Sequence, residues 1–214
     1  MRGRLACVLM LLSAAAVAAP RGHTIGFGKW MTVKWSAGAT KDAAAELKVR
    51  PLYVDGRRHE YSVGDPHEVT DQVLVVQQAY RLNEALAGER GPQWRWRRGG
   101  WLLWERSSGR LRRLILPEFD PSHSQASWYR DYAAYCGSSE EGGRRYAVVA
   151  QLGRRKPLLR QELGAECAAP VWQRDPARVT FTSVSGEKHT YEVRGHAVDA
   201  APQEEPKAEE SPQL

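Results

Sequence analysis

Hydrophobic and polar residues alternate with a period of two over most of this chain. In 178–184 (Arg-Val-Thr-Phe-Thr-Ser-Val), Val179 and Phe181 fall on one side and Thr180 and Thr182 on the other, as in a half-buried strand. The stretch 189–193 alternates likewise, and Ser185-Gly186-Glu187-Lys188 between them makes the pair a hairpin. Residues 131–136 and 146–152 form a second hairpin across a polar connection, with Tyr146, Val148, Ala150 and Leu152 on one side; 157–163 is a further strand. Strands at 101–105 and 110–116 flank Ser107-Ser108-Gly109, another turn signal.

Upstream, Trp94-Arg95-Trp96-Arg97 alternates strictly, and Gly99-Gly100 separates it from the next strand. Strands at 46–54 and 58–63 are joined through Asp55-Gly56, a dipeptide suited to a tight hairpin turn. Residues 25–35 read as an opening strand, and 37–45 as a short helix or a loop. The segment 71–86 admits a helical reading, but its β-branched run at 73–76 favours a strand over 73–82. About ten strands joined mostly by hairpins predict an antiparallel, hairpin-rich all-β domain. A small or irregular propeller-like meander, a β-sandwich and an open barrel all satisfy that pattern.

Composition agrees with a folded chain. Of 214 residues, 42% are hydrophobic and 26% charged, which excludes a wholly disordered chain and a multi-span membrane protein. Three cysteines are too few for a disulfide-dense mini-protein. Residues 1–18 read as a secretory signal peptide: Arg2 and Arg4, an apolar run over 5–17, then Ala16-Val17-Ala18. An uncleaved membrane anchor is the alternative. Cys7 opens the apolar run instead of following it, unlike a lipidated cysteine. Later segments lack the roughly 20 apolar residues of a spanning helix, so no transmembrane segment is expected in the mature chain. The expected location is periplasmic or extracellular, in a bacterium.

Export changes two counts. Without Cys7, Cys136 and Cys167 remain, and in an oxidising compartment they are expected to pair. The bridge would contribute about 3–4 kcal/mol by loop closure. The segment 199–214 holds five acids and one lysine and lacks aromatics, so it reads as a disordered, solubilising tail. Removing leader and tail turns the formal charge of +6 into +8 for the domain at 19–198, which keeps all eight Trp.

The spans starting near Trp101, Trp128 and Trp172 each open a strand–turn–strand unit with an aromatic. Ser127-Trp-Tyr-Arg-Asp-Tyr-Ala-Ala-Tyr135, then 145–149 and 155–159, resemble one blade of a TolB-type secreted bacterial β-propeller. The resemblance covers 126–163 and implies a Trp-containing first strand, a central pair and an outer strand.

Catalytic signatures are near-misses. His59-Glu60 and His67-Glu68 begin like a zinc-protease helix, but the second His is replaced by Val63 and Asp71. No Gly-x-Ser-x-Gly elbow occurs. Gly26-Phe27-Gly28-Lys29 lacks the spacing of a phosphate loop. No metal site and no cofactor are expected. The loop 118–123 combines Glu118, Asp120, Ser122 and His123. Turn formation at Asp120-Pro121, with Ser122 as a local cap, is its plain reading; hydrolytic chemistry by Asp120 and His123 is the alternative.

Trp94, Arg95, Trp96, Arg97, Trp101 and Trp104 form the candidate binding surface, since Arg and Trp together suit stacked, anionic ligands. The same alternation also describes Trp inward as core and Arg outward. Trp128 and Trp172 read as core. Export argues against nucleic acid. The expected function is therefore non-enzymatic binding or scaffolding in the cell envelope, with an envelope protein or anionic polymer as partner. A hydrolase built on the 118–123 loop and a purely structural component are the alternatives.

Overall fold

The computed structural model describes residues 22–36, 44–86, 88–139, 143–164 and 167–201. The expected leader at 1–18, most of the 37–45 segment and the acidic segment beyond residue 201 lie outside these. The described residues contain fifteen strands and no helix, so the chain is an all-β, antiparallel, hairpin-rich protein.

Seven strands make the first sheet: β1 (Ile25–Phe27), β2 (Met31–Ser36), β3 (Ala44–Val54), β4 (Arg57–Thr70), β5 (Val73–Glu84), β6 (Gln93–Glu105) and β7 (Leu111–Leu114). The turn between β3 and β4 is Asp55-Gly56, with both residues at positive φ (49° and 75°), as this tight hairpin requires. Strands β2 to β6 close into a five-stranded barrel, because β3 pairs with β4 and β2 pairs with β6. In a meander of odd strand number the first and last strands run the same way. The closing pair must then be parallel, and it is, through Trp35 opposite Trp96.

The Gly99-Gly100 break expected from sequence is corrected: β6 runs through it, with a register shift against β5 between Gln77 and Ala79. A Cβ on Gly99 would lie 3.0 Å from the Gln78 side chain and 3.2 Å from its carbonyl oxygen, whereas none on Gly100 would touch anything. The Gln77 amide donates to the Gly99 carbonyl (3.1 Å) and the Gln78 amide to Glu60 (3.0 Å), which satisfies two buried polar side chains.

The apolar runs of β5 and β6 follow from burial on both faces. Leu74, Val76, Leu102 and Trp104 pack with Leu52 and Val54, while Val75, Trp101 and Leu103 pack in a different cluster against Leu114, Leu116, Phe119 and Trp128.

The second sheet has the order β11-β10-β9-β8, from β8 (Ser127–Tyr129), β9 (Tyr132–Ser138), β10 (Arg145–Gln151) and β11 (Leu159–Glu162). The third is β12 (Val171–Gln173), β13 (Arg178–Thr182), β14 (Lys188–Arg194) and β15 (Ala197–Ala200), in chain order. The second sheet is covered on both faces. Ala133, Tyr135, Tyr146 and Val148 pack with Leu116, Phe119 and Trp128; Tyr132, Ala134, Ala147 and Val149 pack with Val179, Phe181, Tyr191 and Val193 of the third sheet. Strand β15 corrects the expected start of the tail, since Asp199 pairs with Glu192 and Ala200 with Tyr191.

The expected bridge is present. Cys136 of β9 is disulfide-bonded to Cys167, with 6.1 Å between their Cα atoms. Cys167 itself bridges to Ser183 after β13, so the bond ties the second sheet to the third.

Candidate functional site: a groove between three sheets

The basic-aromatic segment of β6 does not form one surface. Trp94 is 61% exposed, with the Arg81 guanidinium 5.5 Å from its ring centre. Trp96 is half-buried, edge-on to Tyr61 at 5.0 Å. Arg95 is ion-paired with Glu89, and Arg97 Nε donates to Glu84 at 2.7 Å. Trp101 and Trp104 are 7% and 1% exposed. Both faces of this part of β6 are covered, which leaves little of either ring in solvent.

The loop 118–123 is organised by Asp120. One carboxylate oxygen accepts the Ser122 backbone N–H at 2.8 Å, and the other lies 2.7 Å from His123 Nδ1. Asp120 therefore caps Ser122, the reverse of the roles read from sequence. Burial pushes the Asp120 carboxyl up, but the His123 hydrogen bond, the Ser122 N–H and the charges of His123 and Arg145 hold it below its ordinary value. The Ser124 hydroxyl donates to the Cys136 carbonyl (2.6 Å) and accepts the Asp120 N–H (3.1 Å). Among the described residues no hydroxyl hydrogen-bonds to His123, so this loop holds an Asp–His pair without a nucleophile in line.

The better site lies elsewhere. A groove of about 550 Å³ opens where β4, β8 and β12 meet, lined by His67, Trp128, Tyr129, Arg130, Trp172 and Arg174. Its volume is that of small-ligand sites. His67 stacks on Trp128 with ring centres 5.8 Å apart, and Trp128 meets Trp101 edge-on at 5.2 Å. Tyr129 and Trp172 form a tilted pair at 5.5 Å. The indole N–H of Trp172 donates to the Ser127 carbonyl at 3.0 Å, joining the edge strands of two sheets.

Two arginines occupy the turns that follow these edge strands. Arg130 sits in the tight turn from β8 to β9, at φ 52°, and Arg174 follows β12. His67 Nε2–H donates to the Arg130 carbonyl at 2.7 Å, and the Tyr129 hydroxyl to the Arg174 carbonyl at 3.4 Å. The backbone of each turn is held by an aromatic side chain from another sheet, while both arginine side chains are exposed. Arg130 lies over the Tyr129 ring at 5.3 Å. Neither guanidinium pairs with a carboxylate among the described residues. Neighbouring Asp131 instead accepts the Gln151 amide at 2.8 Å.

A second groove of about 570 Å³ is lined by Trp35, Gln77, Arg98 and Trp101. Its cation is already committed: Arg98 donates to the Ser124 carbonyl at 3.0 Å and lies over Trp35 at 5.3 Å. Burial lowers the pKa of that guanidinium.

Sequence reading missed the first groove because Trp128 and Trp172 were assigned to the core. One signal would have found it. Trp128-Tyr-Arg130-Asp131 and Trp172-Gln-Arg174-Asp175 repeat the pattern Trp-x-Arg-Asp, once at the head of each four-stranded sheet. Among the described residues no group of three or more His, Cys, Asp or Glu side chains could hold a metal ion, and no helix is long and apolar enough to cross a membrane. In comparisons with known proteins, no family model, no curated protein and no solved structure matches this chain.

Proposed function

We propose that the protein is an exported, non-enzymatic binding or scaffold protein of the bacterial cell envelope, and that it binds through the groove between β4, β8 and β12. One observation carries this reading: two turn arginines without carboxylate partners among the described residues are presented beside Trp128, Tyr129 and Trp172. Guanidinium beside half-buried ring surface favours an anionic partner. The leader pattern of 1–18 and the Cys136–Cys167 disulfide support export, since such bonds persist in oxidising compartments. The likeness of 126–163 to a TolB-type blade stays part of the proposal, supported by the four neighbouring antiparallel strands of this segment.

The test has two arms. Expressed with its leader in a bacterial host, the protein should be recovered from the periplasm lacking residues 1–18; an uncleaved cytoplasmic product overturns export. Purified wild-type protein should co-sediment with isolated cell-wall sacculi at low salt. The double variant Arg130→Gln/Arg174→Gln should not, whereas Asp120→Ala should behave as wild type. Undiminished sedimentation of the double variant overturns the groove. The contact between His123 and Asp120 favours a second reading, a hydrolase of the 118–123 loop; it requires turnover that Asp120→Ala and His123→Ala abolish.

A further inference from the structure

The groove's chemistry narrows the class of its ligand, given that it is the binding site. We infer that it takes a carboxylate-bearing saccharide chain.

Three features lead there. The first is ring surface. Tyr129 and Trp172 are half-buried, tilted against each other, and line the groove. Aromatic faces of this kind accept the C–H face of a sugar ring. The second is the mixture of hydrogen-bonding groups. Arg130 and Arg174 can only donate, while Glu68, exposed on the same groove, can only accept when ionised. Sugar hydroxyls use both kinds. An acidic peptide would leave the ring faces without a matched partner.

The third feature is charge. Two guanidiniums stand at equivalent places in a repeated Trp-x-Arg-Asp unit, each on a turn whose carbonyl is tied down by His67 or Tyr129. A fixed turn sets where each arginine leaves the backbone, and the guanidinium fork suits a carboxylate. Neutral sugars would use the rings and Glu68 but leave both cations without a partner. The observations therefore favour a chain carrying acid groups on its sugars over a neutral glycan.

Isothermal titration of the full chain with three probes decides the matter: hexagalacturonate, cellohexaose and hexaglutamate. Hexagalacturonate should bind, and more tightly than either other probe. Arg130→Gln and Arg174→Gln should each weaken it at least about tenfold, the worth of one charge-assisted hydrogen bond. Trp172→Leu should weaken it too, and Arg154→Gln, on a turn outside the groove, should not. Thermal melts of each variant show whether the fold is kept. If hexaglutamate binds as well as hexagalacturonate and the arginine variants weaken both, the saccharide inference falls while the groove remains a binding site. If cellohexaose equals hexagalacturonate, the role of charge falls. If no probe binds although sacculi still co-sediment through Arg130 and Arg174, the ligand class is wrong. If sedimentation also ignores these arginines, the groove itself is wrong.

Discussion

The indole N–H of Trp172 donates to the Ser127 carbonyl oxygen across 3.0 Å, linking strands that lie 45 residues apart and end two different sheets. Trp172→Phe keeps an aromatic ring in the contact with Tyr129 but removes the donor. It should destabilise the protein by about 1 kcal/mol, the usual net worth of one such bond. Urea unfolding checks this; an unchanged midpoint would mean the bond does not hold the two edges together.

Gly99 and Gly100 are adjacent and should respond oppositely to alanine. At Gly99 the new methyl meets Gln78 side chain and backbone at 3.0–3.2 Å, so the variant should lose about 1–3 kcal/mol as an overpacked site does. Gly100→Ala meets nothing and should stay within about 0.5 kcal/mol of wild type. Equal melting temperatures for the two variants would contradict the register shift between β5 and β6.

Trp94 and Trp104 separate surface from core within one strand. Trp104→Ala should cost about 3–5 kcal/mol, the range for a buried aromatic. Trp94→Ala should cost well under about 1 kcal/mol, because more than half of that side chain is already in solvent. Chemical denaturation of both variants tests the assignment.

Reduction of the Cys136–Cys167 bond removes the covalent tie between the second and third sheets. By the chain-entropy account, Cys136→Ser/Cys167→Ser should lose about 3–4 kcal/mol. A variant as stable as the oxidised wild type would show that apolar packing between these sheets suffices alone.

Asp120 should give stability an acid limb. Its folded pKa lies below the ordinary 3.8. The stabilisation it supplies is then complete above that value and lost as pH falls through the lower, folded one. Melting temperatures of wild type and Asp120→Asn should differ at about pH 6 and converge at about pH 2. A constant difference across that range would place the effect in geometry instead of charge.

Much of the fold is legible in local pattern. The hairpin through Asp55-Gly56, the alternation of Val179 and Phe181 against Thr180 and Thr182, and the strand over 73–82 are set by residues a few positions apart. Backbone sterics and side-chain period act at that range. Alternation places a residue on a face, however, and says nothing about what covers that face. Trp101 and Trp104 fall on opposite faces of β6, and both are buried because a separate layer lies on each side.

Local pattern alone specifies the all-β class, most hairpins and a cysteine pair able to bridge, since each depends on short-range periodicity or on the count of one residue type. Tertiary structure alone decided that β2 and β6 close the barrel through Trp35 and Trp96. It also decided that His67, Trp128, Arg130, Trp172 and Arg174 share one groove. Those residues come from three separate stretches of the chain, and only the burial of two faces of the second sheet, one against the 116–128 residues that pack on the barrel sheet and one against the third sheet, brings their strand ends together.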